Sequence, residues 1–345
     1  MRILITGGTG FLGKNLAQAL IARGDTVTLL GRNFTASQQL IALGALPLYA
    51  DLRDHDTVIR ACRNQDVVCH AGALSAPWGR KRDFYAINVG GTAALIAGCR
   101  RADVARLVHI SSPATIFTGG DHIETDESAP YPQRFSSHYA ASKKLAEELV
   151  RAAPDLPSVI LRPKAIFGPG DQALLPRLIA AARAGRLPQI GAGRNRVDMT
   201  YIDNVVHAIL LSITAPAAGK TYFITNGEHI VLWELIRTVL AALGLNTNLR
   251  RVPLPIAFTA ASLMEARATL TGQEPLLTRY TVAVLARHQT YTIAAAQRDL
   301  GYHPVVSVAD GVRRTIADLA KGGFRIQDSE GNPLRHRRER RERTK

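Results

Sequence analysis

Cysteine is scarce in this chain of 345 residues, which has only Cys62, Cys69 and Cys99. Three cysteines without C-x-x-C spacing exclude a disulfide scaffold, a zinc ribbon and a thioredoxin-like redox site, so we expect all three to be small core residues. The ten histidines show no H-E-x-x-H or other ligand spacing, and the chain has no G-x-x-x-x-G-K-[ST] motif. Neither a metal site nor a P-loop is therefore predicted.

Long hydrophobic runs are also missing. The apolar stretch from Val252 to Met264 contains two prolines and is followed by Glu265, whereas a membrane-spanning helix needs about 20 apolar residues. At the amino end, Met1 and Arg2 lead directly into Ile3-Leu4-Ile5 and a glycine turn, which leaves no room for the regions of a signal peptide. We expect a cytoplasmic protein without a transmembrane segment.

Acidic residues are too few to balance the basic ones, because 28 Asp and Glu against 43 Lys and Arg give a formal net charge of +15. Such a field favours anionic ligands, including phosphorylated cofactors and carboxylates. Residues 324–345 are polar and end in the arginine-rich segment Arg335–Lys345, so we predict a disordered basic tail. The arginine-rich segment has no aromatic side chains for base stacking, which argues against specific nucleic-acid binding, but its charge is compatible with weak contact with an anionic membrane.

Short runs rich in Val, Ile and Leu alternate with longer helix-period stretches in the first half of the chain, a pattern typical of βαβ units. The predicted strands are Arg2–Thr6, Thr26–Leu30, Leu46–Ala50, Asp66–His70, Leu107–Ser111 and Ser158–Leu161. The predicted helices are Phe11–Ala22, Ala36–Leu43, Asp54–Cys62, Arg82–Arg100 and Ser137–Ala152. Strands this apolar are buried on both faces, so the predicted fold class is α/β, a Rossmann-type doubly wound parallel sheet.

The alternation becomes irregular after residue 167, where proline and glycine are frequent. We predict a Rossmann domain over residues 1–167 and a smaller, mixed, C-terminal substrate lobe over residues 168–323. A helix near Asp203–Ile213 and a strand near Thr221–Ile224 are expected to return residues 197–225 to the first domain.

The strongest motif is Thr6-Gly7-Gly8-Thr9-Gly10-Phe11-Leu12-Gly13, which follows the first predicted strand and opens the first helix. The spaced glycines permit a tight turn, close approach of the backbone to a pyrophosphate and close packing of helix on strand. The amino end of the helix supplies N–H donors for the phosphates. The motif predicts a dinucleotide site whose residues are Gly7, Thr9, Gly10, Phe11, Leu12 and Gly13.

The end of the second strand indicates which dinucleotide binds. Where an acidic residue would bind the ribose 2′-hydroxyl of NAD, the chain has Gly31-Arg32-Asn33. An arginine without a carboxylate accommodates a 2′-phosphate, so NADP(H) is the preferred coenzyme and NAD(H) the alternative. Asp51, at the end of the third strand, is placed to meet the adenine end.

The segment Tyr139-Ala140-Ala141-Ser142-Lys143 predicts a catalytic pair, because i, i+4 spacing puts the phenol and the ammonium on one helix face. A cation there is expected to lower the pKa of the tyrosine from about 10 towards neutrality. Ser111 and Ser112 end a predicted strand, and hydroxyls at that end point into the crevice where open α/β sheets hold ligands.

Taken together, these motifs resemble those of the extended short-chain dehydrogenase/reductase family over roughly residues 1–320. Within that family, the chain is similar to the 3β-hydroxysteroid dehydrogenase branch and in particular to bacterial 2-alkyl-3-ketoalkanoate reductases. The other segments that carry the resemblance are Asp51-Leu52, His70-Ala71-Gly72-Ala73, Ala76-Pro77-Trp78-Gly79, Asn88-Val89-Gly90-Gly91-Thr92, Leu161-Arg162-Pro163, Ile166–Asp171, Val197–Asn204 and Glu274–Arg279.

The resemblance implies an NADP(H)-dependent oxidoreductase that interconverts a ketone and a secondary alcohol on a bulky apolar 3-oxo or 3-hydroxy acid or a sterol-like ring. Tyr139 would be the acid/base, and Lys143 would lower its pKa and hold the nicotinamide ribose. Ser112, or Ser111 if the register differs by one residue, would bind the reacting oxygen, and Asn88 would support a proton relay. The further coenzyme contacts implied are Asn33, Leu52, Ala71, Gly72, Ala73, Ser111, Pro163 and Ile166. The substrate contacts implied are Trp78, Ser112, Phe167 and Tyr201.

Two other readings compete with this one. A sugar-nucleotide epimerase or dehydratase using NAD is disfavoured because Ala165 stands where those enzymes have an asparagine and because Pro113-Ala114-Thr115 supplies no acid after the serine. A non-catalytic dinucleotide sensor or a nucleic-acid-binding protein would not need the serine, tyrosine and lysine. Related proteins form homodimers through the helices at Arg82–Arg100 and Tyr139–Ala152, and we expect the same here by analogy.

Overall fold

The computed structural model describes residues 1–171 and 175–321, so the predicted basic tail lies outside the described residues. The strands in chain order are β1 (Arg2–Thr6), β2 (Thr26–Gly31), β3 (Leu46–Tyr49), β4 (Val67–His70), β5 (Arg106–Ile110), β6 (His122–Thr125), β7 (Ser158–Pro163), β8 (Ile166–Phe167), β9 (Gln189–Ile190), β10 (Arg196–Val197), β11 (Thr200–Tyr201), β12 (Lys220–Ile224), β13 (Ile230–Val231), β14 (Arg251–Val252) and β15 (Gln289–Tyr291).

The helices in chain order are α1 (Phe11–Ala22), α2 (Gln38–Ala42), α3 (His55–Ala61), α4 (Lys81–Phe84), α5 (Gly91–Arg101), α6 (His138–Arg151), α7 (Leu175–Arg183), α8 (Ile202–Thr214), α9 (Leu232–Ala242), α10 (Leu254–Thr271), α11 (Arg279–Ala286), α12 (Ala294–Leu300) and α13 (Val308–Lys321). A wide π-helical turn, Tyr85–Gly90, joins α4 to α5. The predicted helix Arg82–Arg100 is therefore present, with a local widening that the sequence period did not reveal.

The main sheet has seven parallel strands among the described residues, in the order β12-β7-β5-β4-β1-β2-β3. Its central strands are buried on both faces, as their near-continuous Val, Ile and Leu content requires. One apolar layer lies between the sheet and α1, α8 and α12, and a second layer lies between the sheet and α3, α5 and α6. The predicted Rossmann-type, doubly wound fold is confirmed.

A smaller lobe is built around a mixed sheet in the order β13-β10-β15-β6 and two short pairs, β11 with β8 and β14 with β9. Two further apolar clusters, which involve α7, α9, α10, α11 and α13, form its core. The strand β6 belongs to this sheet although it comes from the first half of the chain, whereas β12 from the second half joins the main sheet. The two lobes therefore do not follow one another along the sequence.

The apolar stretch from Val252 to Met264 lies largely in α10. Small side chains, Ala257, Ala261 and Ala268, form its buried side, while Ile256, Leu263 and Leu270 are exposed. Within the part of the chain that the structure describes, α10 and the other helices are all too short or too polar to span a bilayer.

Candidate active site

The glycine motif forms the turn between β1 and α1. Gly7 has a φ of +66°, a left-handed conformation that only glycine adopts without steric cost. A Cβ atom added at Gly7 would lie 2.7 Å from Gly72 Cα, and one added at Gly13 would lie 2.2 Å from the Gly7 carbonyl oxygen. A larger residue at Gly7 would therefore push the turn away from the loop after β4, and one at Gly13 would push α1 away from the turn.

This turn fits the diphosphate of a dinucleotide. The helix α1 begins after Gly10 without a side-chain cap, so its first N–H groups can bind an anion. The Gly72 N–H donates to Thr6 Oγ1 at 3.1 Å, which fixes the loop after β4 beside the turn. The remaining predicted residues of this cradle, all half-buried, are Thr9, Phe11, Leu12, Ala71 and Ala73.

The predicted adenine end is a cluster of charges after β2 and β3. Asp51 accepts two hydrogen bonds of 2.9 Å from the Arg53 guanidinium, and Arg32 lies 3.8 Å from the same carboxylate. The hydrogen bonds from Arg53 lower the pKa of Asp51 to about 2. Arg32 is 73% exposed, and the Asn33 side chain accepts from the Thr35 N–H at 2.8 Å. Two guanidiniums beside one carboxylate leave this corner positively charged.

The predicted catalytic residues lie at the carboxyl edge of the main sheet. The Ser137 side chain caps the start of α6 by accepting from the Ala140 N–H at 3.1 Å. Tyr139 and Lys143 lie one turn apart in the first two turns of this helix. Ser112 lies two residues beyond β5, and its hydroxyl interacts with the Tyr139 phenol. The structure therefore brings Ser112, Tyr139 and Lys143 to one site.

The Tyr139 phenol is a weaker acid in this structure than the sequence predicts. Burial raises its pKa above the ordinary value, and the hydroxyls of Ser75 and Ser112 offset part of that rise. The expected lowering towards neutrality is therefore not present in this structure. A phenol with a raised pKa stays protonated at neutral pH.

Lys143 is engaged with the sheet. Its ammonium donates to the Ile110 carbonyl at 2.6 Å and lies 3.2 Å from His109 Nε2. Burial lowers the pKa of Lys143 to about 8. The imidazole of His109 is buried and its pKa is lowered, first by burial and then by the lysine, so it meets the ammonium as a neutral ring.

The two adjacent serines have different environments. The Ser111 hydroxyl donates to Glu147 Oε1 at 2.5 Å, and both residues are buried. Glu147 is fully buried and forms a two-pronged ion pair with Arg162 at 2.9 and 2.6 Å. Ser112 rather than Ser111 is therefore the hydroxyl that interacts with Tyr139, and the coenzyme contact predicted for Ser111 stays a prediction.

Asn88 lies in the π-helical turn and uses its amide to hold the loop after β4. Its Oδ1 accepts from the Leu74 N–H at 2.7 Å, and its Nδ2 donates to the Leu74 carbonyl at 3.1 Å and to Ser142 Oγ at 2.9 Å. Asn88 thus fixes the segment that carries Ser75 relative to α6. Its role in a proton relay stays a prediction.

The predicted substrate residues separate into two groups. Trp78 is half-buried in the loop before α4. Phe167 and Tyr201 are instead packed inside the smaller lobe, 0% and 2% exposed, with their ring centroids 5.6 Å apart. Both rings pack against Gly311 of α13, and the substrate contacts predicted for them stay predictions.

The residues between β7 and β8 complete the carboxyl edge of the sheet. Pro163 ends β7 and Ile166 begins β8, and the coenzyme contacts predicted for them, like that for Leu52 after β3, stay predictions.

Two residues near Tyr139 were not identified from the sequence. Ser75 interacts with the Tyr139 hydroxyl, and Tyr280 on α11 lies close enough for Tyr139 to contribute to the raised pKa of Tyr280 after burial. Neither residue could be found from a motif. Ser75 reaches the site through the folding of the loop after β4, and Tyr280 reaches it through the packing of the smaller lobe. Among the described residues, no group of three His, Cys, Asp or Glu side chains is arranged to hold a metal ion.

Comparison with known proteins agrees with this geometry. Residues 4–256 match the model of the 3-beta hydroxysteroid dehydrogenase/isomerase family. The 2-alkyl-3-oxoalkanoate reductase of Stenotrophomonas maltophilia is 40% identical over 332 residues, which cover 93% of this chain and 100% of the relative. The 2-alkyl-3-oxoalkanoate reductase of Shewanella oneidensis is 35% identical over 332 residues, which cover 91% of this chain and 85% of the relative.

Among solved structures, the dTDP-glucose 4,6-dehydratase of Streptomyces venezuelae, a double mutant with NAD bound, matches with a TM-score of 0.74 at 25% identity and covers 93% of this chain and 97% of that chain. This dehydratase therefore has a fold similar to that of the chain. The two relatives named above are, in contrast, reductases. The sequence resemblance is thereby confirmed, and the chain belongs to the 3-beta hydroxysteroid dehydrogenase/isomerase family as an NAD(P)-dependent oxidoreductase that acts on keto and hydroxyl groups.

Proposed function

We propose that this enzyme is an NADP(H)-dependent reductase of the keto group in a bulky, largely apolar 3-oxo acid, with Tyr139 as the general acid. The observation that carries the proposal is the 2.6 Å hydrogen bond from Lys143 on α6 to the Ile110 carbonyl at the end of β5, at the carboxyl edge of the sheet. It holds α6 against the strand that precedes Ser112, and Tyr139, one turn from Lys143, interacts with Ser112. Ligands of open α/β sheets bind at this edge. The names of the two curated relatives support an oxoalkanoate as the substrate class.

Each residue has a distinct part in the reduction. The nicotinamide coenzyme, when bound, supplies or accepts the hydride. Tyr139 donates the phenolic proton to the carbonyl oxygen as that oxygen gains charge, and its raised pKa keeps the proton in place until then. Ser112 and Ser75 orient the phenol and stabilise the developing charge through their hydroxyls. Lys143, next to Tyr139 on α6, would hold the nicotinamide ribose.

The test is a comparison of Tyr139→Phe with the unaltered enzyme. We expect turnover of an apolar 3-oxo acid to fall by about 10²- to 10⁴-fold, because the general acid is lost. NADPH affinity, measured by coenzyme fluorescence, should stay nearly unchanged. NADPH and NADH consumption would be followed with long-chain 3-oxo acids, 3-oxosteroids and UDP-sugars.

Tyr49→Phe is the matched control, because Tyr49 is 66% exposed and removal of its hydroxyl should leave turnover intact. Retained ketone reduction by Tyr139→Phe would exclude the proposed acid. Conversion of a UDP-sugar without net coenzyme use would instead identify a sugar-nucleotide epimerase.

A further inference from the structure

Lys164 lies at the same edge of the sheet as the catalytic residues. It follows Pro163, the last residue of β7, and β7 is the hydrogen-bonded neighbour of β5, with Leu161 beside Ile110. Its backbone is fixed on both sides, because its N–H donates to the Ile224 carbonyl at 3.1 Å and its own carbonyl accepts from Thr200 Oγ1 at 2.6 Å. Lys164 is therefore held at the end of the strand next to the one that precedes Ser112.

Three rings, those of His122, Phe117 and Tyr280, form a series of neighbours between Lys164 and Tyr139. The charge of Lys164 contributes to the lowered pKa of His122, after burial. The His122 ring lies 5.7 Å from Phe117, and Phe117 lies 6.0 Å from Tyr280 in an edge-to-face arrangement. Tyr280 in turn interacts with Tyr139. These contacts place Lys164 and Tyr139 on the border between the main sheet and the smaller lobe.

The Lys164 ammonium has a polar neighbour but no ion pair among the described residues. Its Nζ donates to Gln289 Oε1 at 2.5 Å, which is a neutral acceptor. The carboxylate that interacts with it, Asp198, accepts from His229 Nδ1 at 2.6 Å and from the Tyr291 N–H at 2.7 Å. Burial lowers the pKa of Lys164 to about 8, and the charge of Asp198 offsets part of that fall.

We propose that Lys164, with Gln289 beside it, binds the carboxylate of the substrate and thereby selects 3-oxo and 3-hydroxy acids over neutral ketones and alcohols. The inference rests on the proposed function, because it assigns the acid group of that substrate to a residue. In a 3-oxo acid a single carbon separates the carboxyl and keto carbons, so the cation that binds the carboxylate has to lie at the same end of the cleft as Tyr139. Lys164 follows the strand that neighbours the one before Ser112, so it lies at the same edge of the sheet as the proposed acid.

The test measures NADP⁺ reduction by Lys164→Gln with 3-hydroxydecanoate and with its methyl ester, since a 3-hydroxy acid does not decarboxylate during the assay. We expect kcat/KM for the acid to fall by about 10- to 100-fold, mainly through KM, as for a lost charge-assisted hydrogen bond. The ester should change less than about 3-fold. Lys164→Arg should retain part of the preference for the acid.

Direct binding separates this inference from the proposed reaction. Decanoate, which has no hydroxyl to oxidise, would be titrated calorimetrically into the full chain and into Lys164→Gln and Lys164→Met. Weaker binding to both variants, with decanol unaffected, supports the carboxylate subsite even if no ketone is turned over, an outcome that would contradict the proposed function alone.

Lys220→Gln is the control for net charge, because Lys220 pairs with Asp299 on the surface. Equal losses for acid and ester in Lys164→Gln, or unchanged decanoate binding, would overturn the proposal.

Discussion

Arg32 is the residue on which the choice between the two coenzymes depends. Its guanidinium is exposed and lies beside the Asp51–Arg53 pair. We expect Arg32→Ala to raise the KM for NADPH by about 10- to 100-fold, the range for a lost charge-assisted hydrogen bond to phosphate. The KM for NADH, which has no 2′-phosphate, should change less than about 3-fold. Steady-state kinetics with both coenzymes measure the difference.

Arg2→Ala is the matched control for this variant. Arg2 pairs with Asp66 at the amino end of β1, the end opposite the glycine turn, so the same charge is lost without a change near the coenzyme. Similar losses with NADPH and NADH in Arg32→Ala would show that Arg32 does not read the 2′-phosphate.

Residues of the site differ in how far the sequence reveals them. Tyr139 and Lys143 could be paired from spacing alone, because one helix carries both. The choice between Ser111 and Ser112 could not, since it depends on the buried Glu147 that binds one of the two hydroxyls. Lys164 and Tyr280 carry no local pattern, because only the packing of the smaller lobe against the sheet brings Lys164 to Gln289 and Tyr280 to Tyr139.

The turn between β7 and β8 carries a conformation that its alanine does not favour. Ala165 has a φ of +44°, where a residue with a Cβ atom is disfavoured by about 1–2 kcal/mol and asparagine is among the best tolerated. We expect Ala165→Asn to raise the free energy of unfolding by about 0.5–1 kcal/mol. Urea unfolding followed by circular dichroism measures the change.

Ala165→Val supplies the opposite case at the same position. A β-branched side chain suits this backbone region least, so this variant should be less stable than the unaltered chain. If the Asn and Val variants lost stability equally, side-chain packing rather than backbone conformation would govern the turn.

Elements of regular period were the easiest to predict. The sequence places β1 and α1 with the bounds that the structure shows, because apolar runs and a glycine turn delimit them. The π-helical turn Tyr85–Gly90 could not be predicted from the sequence, since the apolar residues on either side keep a helical spacing through it. The short strands of the smaller lobe, two residues in β8 and β11, are below the length at which alternation is informative.

The whole molecule should lose stability in mild acid. His70 and His109 lie in adjacent central strands and are buried, and burial lowers the pKa of His70 to about 3 and that of His109 well below its ordinary value. Since the unfolded chain binds protons at both imidazoles near pH 6.5, the free energy of unfolding falls as pH drops below 6.5. Each buried imidazole contributes a slope of about 1.4 kcal/mol per pH unit until its folded pKa is reached.

Thermal unfolding between pH 7.5 and 4.5 measures this slope. His109→Leu removes one of the two groups and should flatten the pH dependence, whereas His138→Asn, which alters an exposed imidazole, should leave it unchanged. A wild-type slope in His109→Leu would show that other groups cause the acid sensitivity. The prediction is confined to this window, because carboxylates titrate below it.

At the scale of the whole chain, the predicted fold class is confirmed, whereas the homodimer and the membrane contact of the basic tail stay predictions. The sequence indicated the sheet because its strands are continuous apolar runs. It could not indicate which lobe receives β6, because a four-residue, half-exposed strand fits either sheet.

The interleaving of the two lobes limits how new substrate specificities can be obtained by recombination. The chain enters the smaller lobe at β6, leaves it for α6 and β7, enters it again at β8, returns to the main sheet with α8 and β12, and then re-enters it at β13. A single crossover between two homologous genes would therefore produce a chain whose smaller lobe is assembled from segments of two different parents. Exchange of a complete pocket requires several coordinated crossovers, so point substitutions along the shared border, where Lys164 and Tyr280 lie, are the shorter route to a new substrate.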